Sequence, residues 1–520
     1  MRWPTTWWCR RPCARPDADE ARRTTVPKAG APPCGGDAQR LGGPVTERLV
    51  VGPFNRVEGD LEVRLDVADG TVRSAQVSAT MYRGFEQILP GRPPGDALVI
   101  VPRICGICSV SQSVAAARAL AGLAGITPPP NGAVAQQLML AVENVADHMT
   151  HFALFFMPDF AREVYAGRPW HDAVVQAYAA GTGDHAREAT AARQRWMTMM
   201  GWLGGRWPHT GSIMPGGSSR AIEATERLRL RARVDDLRSF LERVIVAGPL
   251  DELLALPDED ALRAWAARAP LQGGLRLFLA AADDLDLATL GPGPGVFLAY
   301  GGGDVPAGVW RNGAIEPLDL AAITEDATHA WLAGDTALHP AQGLTAPWAD
   351  RPGAYTWNKA PRLAGHVVET GAIARRLMAG QPLVRDLAGR HGGSVLTRVV
   401  ARLLELAGAV QHVRRLLDTL QPGEPWCVES PLPDEGAACG LAEAARGALG
   451  HWVALQGGRI AHYQIVAPTS WNFSPRDAAG TPGALEAALV GTPVRPGETT
   501  PVAVQHVVRS FDPCMVCTVH

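Results

Sequence analysis

Asp512-Pro513-Cys514-Met515-Val516-Cys517-Thr518-Val519-His520 ends the chain, and its reading governs everything upstream. Chain ends are usually disordered unless something ties them down. Two thiols, an acid and a histidine in one terminal stretch therefore predict a ligand that holds the tail. A second Cys-x-x-Cys lies in Arg103-Ile104-Cys105-Gly106-Ile107-Cys108. Four soft sulfur ligands select zinc, an iron–sulfur cluster, or nickel and iron, and exclude magnesium and calcium. By spacing alone a structural zinc site is the commonest reading of two such pairs. Zinc ribbons, however, bring their pairs close in sequence, whereas these stand at opposite ends of the chain. A dithiol redox pair would need a thioredoxin-like βαβ setting, which neither pair has.

The bulk numbers narrow the class. A length of 520 residues allows about three domains, and 47% hydrophobic with 19% charged residues is ordinary for a globular protein. A net charge of -3 leaves no footprint for nucleic acid. No apolar run is long enough for a membrane span. Residues 1–45 are rich in Arg, Pro and Gly and have no apolar h-region, so they read as a disordered extension or an overlong start rather than a secretory signal. Nine cysteines without a regular framework predict a reducing, cytoplasmic setting and thiolate chemistry.

Inside residues 46–520 there is no clean linker and no repeat, which predicts one domain. Leu61–Val67 alternates with period two, and Asp69-Gly70 turns it into Val72–Val77, a strong hairpin signal. Gly457-Gly458 marks a second hairpin between Trp452–Leu455 and Ile460–Ile465. Helical spacing covers Ser113–Leu123, Ala133–Phe156, Ala221–Val246 and Val395–Leu420. Leu290–Val309, dense in Gly and Pro, reads as loops or short irregular strands. The expected fold is α-rich α+β, a large helical core with small antiparallel sheets.

The residues around the thiols carry a resemblance. Arg-x-Cys-Gly-x-Cys with a terminal Asp-Pro-Cys-x-x-Cys-x-x-His resembles the signature pair of nickel–iron hydrogenase large subunits, from about Glu47 to His520. Asn55-Arg56-Val57-Glu58-Gly59, Arg83-Gly84-Phe85-Glu86, Lys359-Ala360-Pro361-Arg362 and Val466-Ala467-Pro468-Thr469-Ser470-Trp471 are similar to the same family. The resemblance implies Cys105 and Cys514 as terminal nickel ligands. It implies Cys108 and Cys517 as bridges to an iron carrying carbonyl and cyanide. Heterolytic cleavage of dihydrogen needs a Lewis acid for the hydride and a base for the proton. In family terms that base is Cys514 or the guanidinium of Arg446. Glu58 matches the residue that relays the proton away, although by itself it reads as an acid in an exposed turn. Glu86, the carbonyl of Ile465 and His520 match the ligands of a buried magnesium. Asp147 and Asp512 match carboxylates near the metals, and Asp147 alone would read as an acid on a helix's polar face. Thr469 matches a hydroxyl that hydrogen-bonds a cyanide, while Arg362 is expected only to pair with an internal acid.

Three departures point within the family. Gln112 stands where a histidine is usual, four residues after the second cysteine. Ile107 and Phe155 match the positions of smaller valine and leucine at the inner end of the gas channel, a pair that hydrogen-sensing members carry. The chain stops at His520, where catalytic members are usually made with an extension that a protease removes. Ala445 replaces a common proline, with no assigned consequence. The resemblance thus implies a cytoplasmic hydrogen sensor of low turnover. Its partners would be an iron–sulfur small subunit that takes the electrons and a histidine kinase that receives the signal. The alternatives are an energy-conserving uptake enzyme and a structural zinc protein.

Overall fold

In the computed structural model, which describes residues 47–518, Asp69 and Gly70 both adopt positive φ, 52° and 66°. That is the backbone a two-residue hairpin loop requires. β1 (Glu47–Val51), β2 (Leu61–Ala68) and β3 (Thr71–Ala79) form an antiparallel sheet in sequence order. Every second residue of β2 from Leu61 to Val67 is buried, as its alternation predicts. The loop between β1 and β2 carries Asn55 to Gly59. The predicted extension at 1–45 lies outside the described residues, as do Val519 and His520.

The helices make the core. α1 (Ser109–Ala124) starts directly after the second cysteine, and α2 (Pro130–Thr150) runs into a π-helical turn, His151–Phe156. α3 (Asp184–Gly204) and α4 (Ala224–Phe240) follow. α5 (Ala372–Met378) is short, and α6 (Val395–Thr419) is the longest described helix. α2 packs against both α3 and α6. Leu138, Met139, Val142 and Val145 of α2 and Val399, Leu403, Leu406 and Val410 of α6 are all buried. Each such side chain contributes about 1.5–3 kcal/mol of burial. α7 (Val502–Ser510) leads into the tail.

The remaining strands form small sheets. β4 (Val296–Ala299), β5 (Gly308–Arg311) and β6 (Ala314–Glu316) are antiparallel, and β7 (Glu369–Thr370) adds to β4 in parallel, a departure from the all-antiparallel expectation. β8 (Gly436–Ala444), β9 (Gly447–Gln456) and β10 (Arg459–Val466) form a meander. The predicted Gly457-Gly458 turn joins β9 to β10 with both φ positive. β8 gave no signal, because Gly-Ala-Ala-Cys-Gly is poor in the branched and aromatic residues that mark strands.

The four predicted helices are present with shifted ends. α1 begins at Ser109 rather than Ser113 because its cap comes from elsewhere in the chain. The fourth ends one residue short, and the second and third each close in a π-helical turn, His151–Phe156 and Leu241–Ile245.

Candidate metal centre

The tail is tied down by the β1–β2 loop. The Met515 N–H donates to the Glu58 carbonyl at 2.7 Å, and Glu58 bridges Cys514 in parallel. Gly59, at φ 80°, allows this approach: a Cβ there would stand 2.8 Å from the Val516 nitrogen. α7 ends with Asp512 in the left-handed region at φ 58°, a short-polar residue that tolerates this conformation. Pro513 follows and stops the helix. Cys105 comes off a 3-10 turn in extended conformation, and Cys108 is the residue on which α1 starts.

These local features bring all four sulfurs into one buried cluster. The Cys105–Cys514, Cys108–Cys517 and Cys514–Cys517 sulfurs lie 3.5, 3.2 and 2.9 Å apart, with all four within 4.8 Å of one another. All four thiols are free. One tetrahedral zinc with bonds of about 2.3 Å would hold its sulfurs about 3.8 Å apart. These three contacts are shorter, and the other sulfur pairs lie within 4.8 Å. Hydrogen bonds from Cys108, Cys514 and Cys517 hold Cys105 well below the ordinary thiol range. Cys108 and Cys517 are pushed well above it, first by the Cys105 sulfur and then by burial. The donor set fits a soft bimetallic centre.

Arg446 stands at the turn between β8 and β9, close enough for its charge to act on Cys105 and Cys514. Its Nη1 donates to Asp147 Oδ2 at 2.5 Å, and its Nε donates to the Asp512 carbonyl at 3.1 Å. Its Nη2 faces Asp512 Oδ1 at 3.1 Å as an ion pair, off the line of a hydrogen bond. Burial works to lower this guanidinium, but the charges of Asp147 and Asp512 outweigh it and hold it well above the usual range. Burial pushes Asp147 up to about 8 despite Arg446, whereas Asp512 is held below its ordinary value, burial notwithstanding, by Arg446 and His151. Asp147 is 3% exposed, so its reading as an acid on a polar helix face is wrong. Glu58 is half-buried rather than exposed, and burial followed by the Cys105 charge raises its carboxyl. The Thr469 hydroxyl accepts from the Cys514 N–H at 3.2 Å, which leaves its own proton to donate.

Glu143 escaped the sequence reading. From α2 its carboxylate accepts from the Val110 and Ser111 N–H groups at 2.9 and 3.0 Å, and from Trp207 Nε1 at 3.0 Å. It is the cap that α1 lacks locally, and it fixes the helix start that presents Cys108; N-terminal caps contribute about 1 kcal/mol. Burial nonetheless pushes it up to about 7. The available signal was its spacing four residues before Asp147, which puts both acids on one helical face. Gln112 is buried, and its Oε1 lies 2.8 Å from His451 Nε2. Ile107 and Phe155 are half-buried, Ile107 against the main core.

A second cavity of about 10 Å³ lies beside the tail, lined by Glu86, Glu325, Lys359, Ile465 and Thr518 among others. Glu86 accepts from the Ile465 N–H at 2.8 Å, and from Gln464 and Thr345. Lys359 stands 3.8 Å from Glu86 and 3.7 Å from Glu325, whose Oε2 has no hydrogen-bond partner. Two buried carboxylates share one ammonium, so the cavity suits a small hard cation. Arg362 pairs with Asp477 at 2.9 Å, as expected.

The chain matches the family described as nickel-dependent hydrogenase over residues 83–167 and 183–520. It is 30% identical to the periplasmic [NiFeSe] hydrogenase large subunit of Desulfomicrobium baculatum, over 91% of this chain and 95% of that one. It is 26% identical to the uptake hydrogenase large subunit of Rubrivivax gelatinosus, with the same coverage of each. Its fold superimposes on the Ni-Fe-Se hydrogenase of D. vulgaris Hildenborough with a TM-score of 0.78 at 29% identity, over 91% of this chain and all of that one. The zinc alternative finds no support in these comparisons.

Proposed function

Since the chain belongs to the nickel-dependent hydrogenase family, we propose that it is the large subunit of a hydrogen-sensing member that cleaves dihydrogen heterolytically. The observation that carries this is the cluster of four buried sulfurs within 4.8 Å, closed by both ends of the core. In this reading Cys105 and Cys514 would hold nickel, and Cys108 and Cys517 would hold it together with an iron that carries carbonyl and cyanide ligands. When bound, the metals would supply the Lewis acid that polarises dihydrogen. Arg446, kept cationic by Asp147 and Asp512, places a fixed charge over the sulfurs. Cys514 accepts the proton, and Glu58, raised toward neutrality beside the tail, carries it outward. The Thr469 hydroxyl donates to a cyanide. Glu86, the Ile465 carbonyl and His520 would hold magnesium. Glu325, which lines that cavity with only one ammonium shared between it and Glu86, supports the cation, and His520 itself lies beyond the described residues.

Electrons leave to an iron–sulfur small subunit. Beyond the site only Cys427 and Cys439 remain among the described residues, too few for a cluster here. The sensing assignment rests on Gln112, Ile107 and Phe155, and with it come a cytoplasmic setting and a histidine kinase as receiver. No described helix is long and apolar enough to cross a membrane. The name of the Rubrivivax relative favours a second reading, an uptake enzyme; high turnover would support it.

An infrared spectrum of the metal-loaded protein is expected to show carbonyl and cyanide bands. A metal-loaded protein without them would sink the bimetallic reading. For the sensor, the double substitution Ile107→Val with Phe155→Leu is expected to make the hydrogen response fail in air. A response in air equal to that of the parent would remove the gas-channel argument.

A further inference from the structure

The turn that carries Arg446 is an unusual one. Ala444 pairs with Gly447, so the β8–β9 loop is only Ala445 and Arg446. Two-residue hairpin loops favour positive φ, because that twist matches the strands. Neither Ala445 nor Arg446 has it. Gly447, the next residue, takes the positive φ instead, and Arg375 of α5 braces the turn from outside.

The Arg375 side chain is 4% exposed, and its donors reach the β8 side of the turn and its first loop residue. Nη1 donates to the Ala444 carbonyl at 2.7 Å and to Glu443 Oε2 at 2.9 Å, and Nη2 donates to the Ala445 carbonyl at 2.8 Å. Nε and Nη2 also donate to Glu405 of α6 at 3.0 and 2.6 Å. Both carboxylates are anchored in turn. The Tyr300 N–H donates to Glu443 Oε1 at 2.6 Å, and Glu405 Oε1 lies 2.9 Å from Nε2 of His148, the residue after Asp147. One side chain thus ties the strand end to α6 and, through Glu405, to α2, holding the residue before Arg446 and reaching the residue after Asp147. The packing of the turn is tight on its other side as well. Gly447 sits at φ 127°, and a Cβ on it would stand 2.3 Å from Thr370 Oγ1, just before α5.

We infer that Arg375 is a positioning residue: it fixes the turn Ala444 to Gly447 and thereby sets where the Arg446 guanidinium stands relative to the four sulfurs. This rests on the role proposed above for Arg446. Lysine at 375 keeps one charge but forfeits the planar fork, so it is not a conservative change here. Displacing a catalytic group by about 1 Å costs on the order of 100-fold in rate.

The test uses the metal-loaded enzyme and the variants Arg375→Lys, Arg446→Lys and both together, with Glu443→Gln as a milder single change. Arg375→Lys is expected to lower kcat for dihydrogen by about 10- to 100-fold, and Glu443→Gln by less, with KM and the infrared bands little changed. In the Arg446→Lys background, Arg375→Lys should add almost nothing. Backbone amides from 446 to 449 should exchange faster with deuterium in Arg375→Lys. Losses that multiply in the double variant, or full activity of Arg375→Lys, would overturn the positioning role. Unchanged exchange at 446–449 would overturn the clamp itself. Full activity of Arg446→Lys would instead refute the role of Arg446, with the exchange measurement still deciding the clamp.

Discussion

Serine in place of any one of the four clustered cysteines is expected to abolish hydrogen cleavage, and the four variants should divide into two kinds. Alcohols at neutral pH are poor ligands for soft metals, since the thiolate is the species that binds. If Cys105 and Cys514 serve nickel alone, Cys105→Ser and Cys514→Ser should lose nickel while retaining some iron with its infrared bands. If Cys108 and Cys517 bridge, Cys108→Ser and Cys517→Ser should lose both metals. Metal analysis alongside the spectrum distinguishes the two outcomes. Retention of nickel in all four variants would overturn the ligand assignment. The geometry supports large effects, because the sulfurs are buried and within 4.8 Å of one another. No other described group of three or more potential ligands comes together in this way.

Glu58→Gln should separate binding of the metals from movement of the proton. The amide keeps nearly the same shape and leaves the Glu58 carbonyl to receive the Met515 N–H, so the tail should stay docked. It carries no exchangeable acid proton. Hydrogen turnover is expected to fall by about 100- to 10,000-fold, the usual worth of a positioned acid–base group. Nickel and iron content should stay at parent levels. The carboxyl of Glu58 is raised by burial and then by the Cys105 charge, which moves it toward the range where it can both take and release a proton. Turnover and dihydrogen–water isotope exchange equal to the parent's would remove Glu58 from the proton route.

Much of this protein was legible because its chemistry is written in short local motifs. The paired thiols select soft metals wherever they lie. Asp69-Gly70 and Gly457-Gly458 make their turns because of backbone conformations that few other residues adopt. The long helices follow from apolar spacing, and the α-rich α+β class follows from both.

Other features were beyond any local reading. The start of α1 depends on Glu143, more than thirty positions further along, because only the fold brings that carboxylate to the Val110 and Ser111 N–H groups. Nothing in the local sequence marks Arg375, which is buried and bonds the carbonyls of a distant turn. β8 has little strand propensity and exists because it pairs with β9. Asp147 alone reads as a solvent-facing acid until packing buries it, and Glu58 until packing half-buries it.

The tail gives the clearest division. By itself the sequence determined the donor atoms, since the identity of a metal ligand is a property of its side chain. Only the tertiary structure decided that the two Cys-x-x-Cys pairs converge. A distance between residues at opposite ends of a chain is set by the packing of all that lies between them. The same packing lowers the local dielectric, and that is what turns Arg446, Asp147, Asp512 and Glu58 from ordinary charges into a tuned set around the sulfurs.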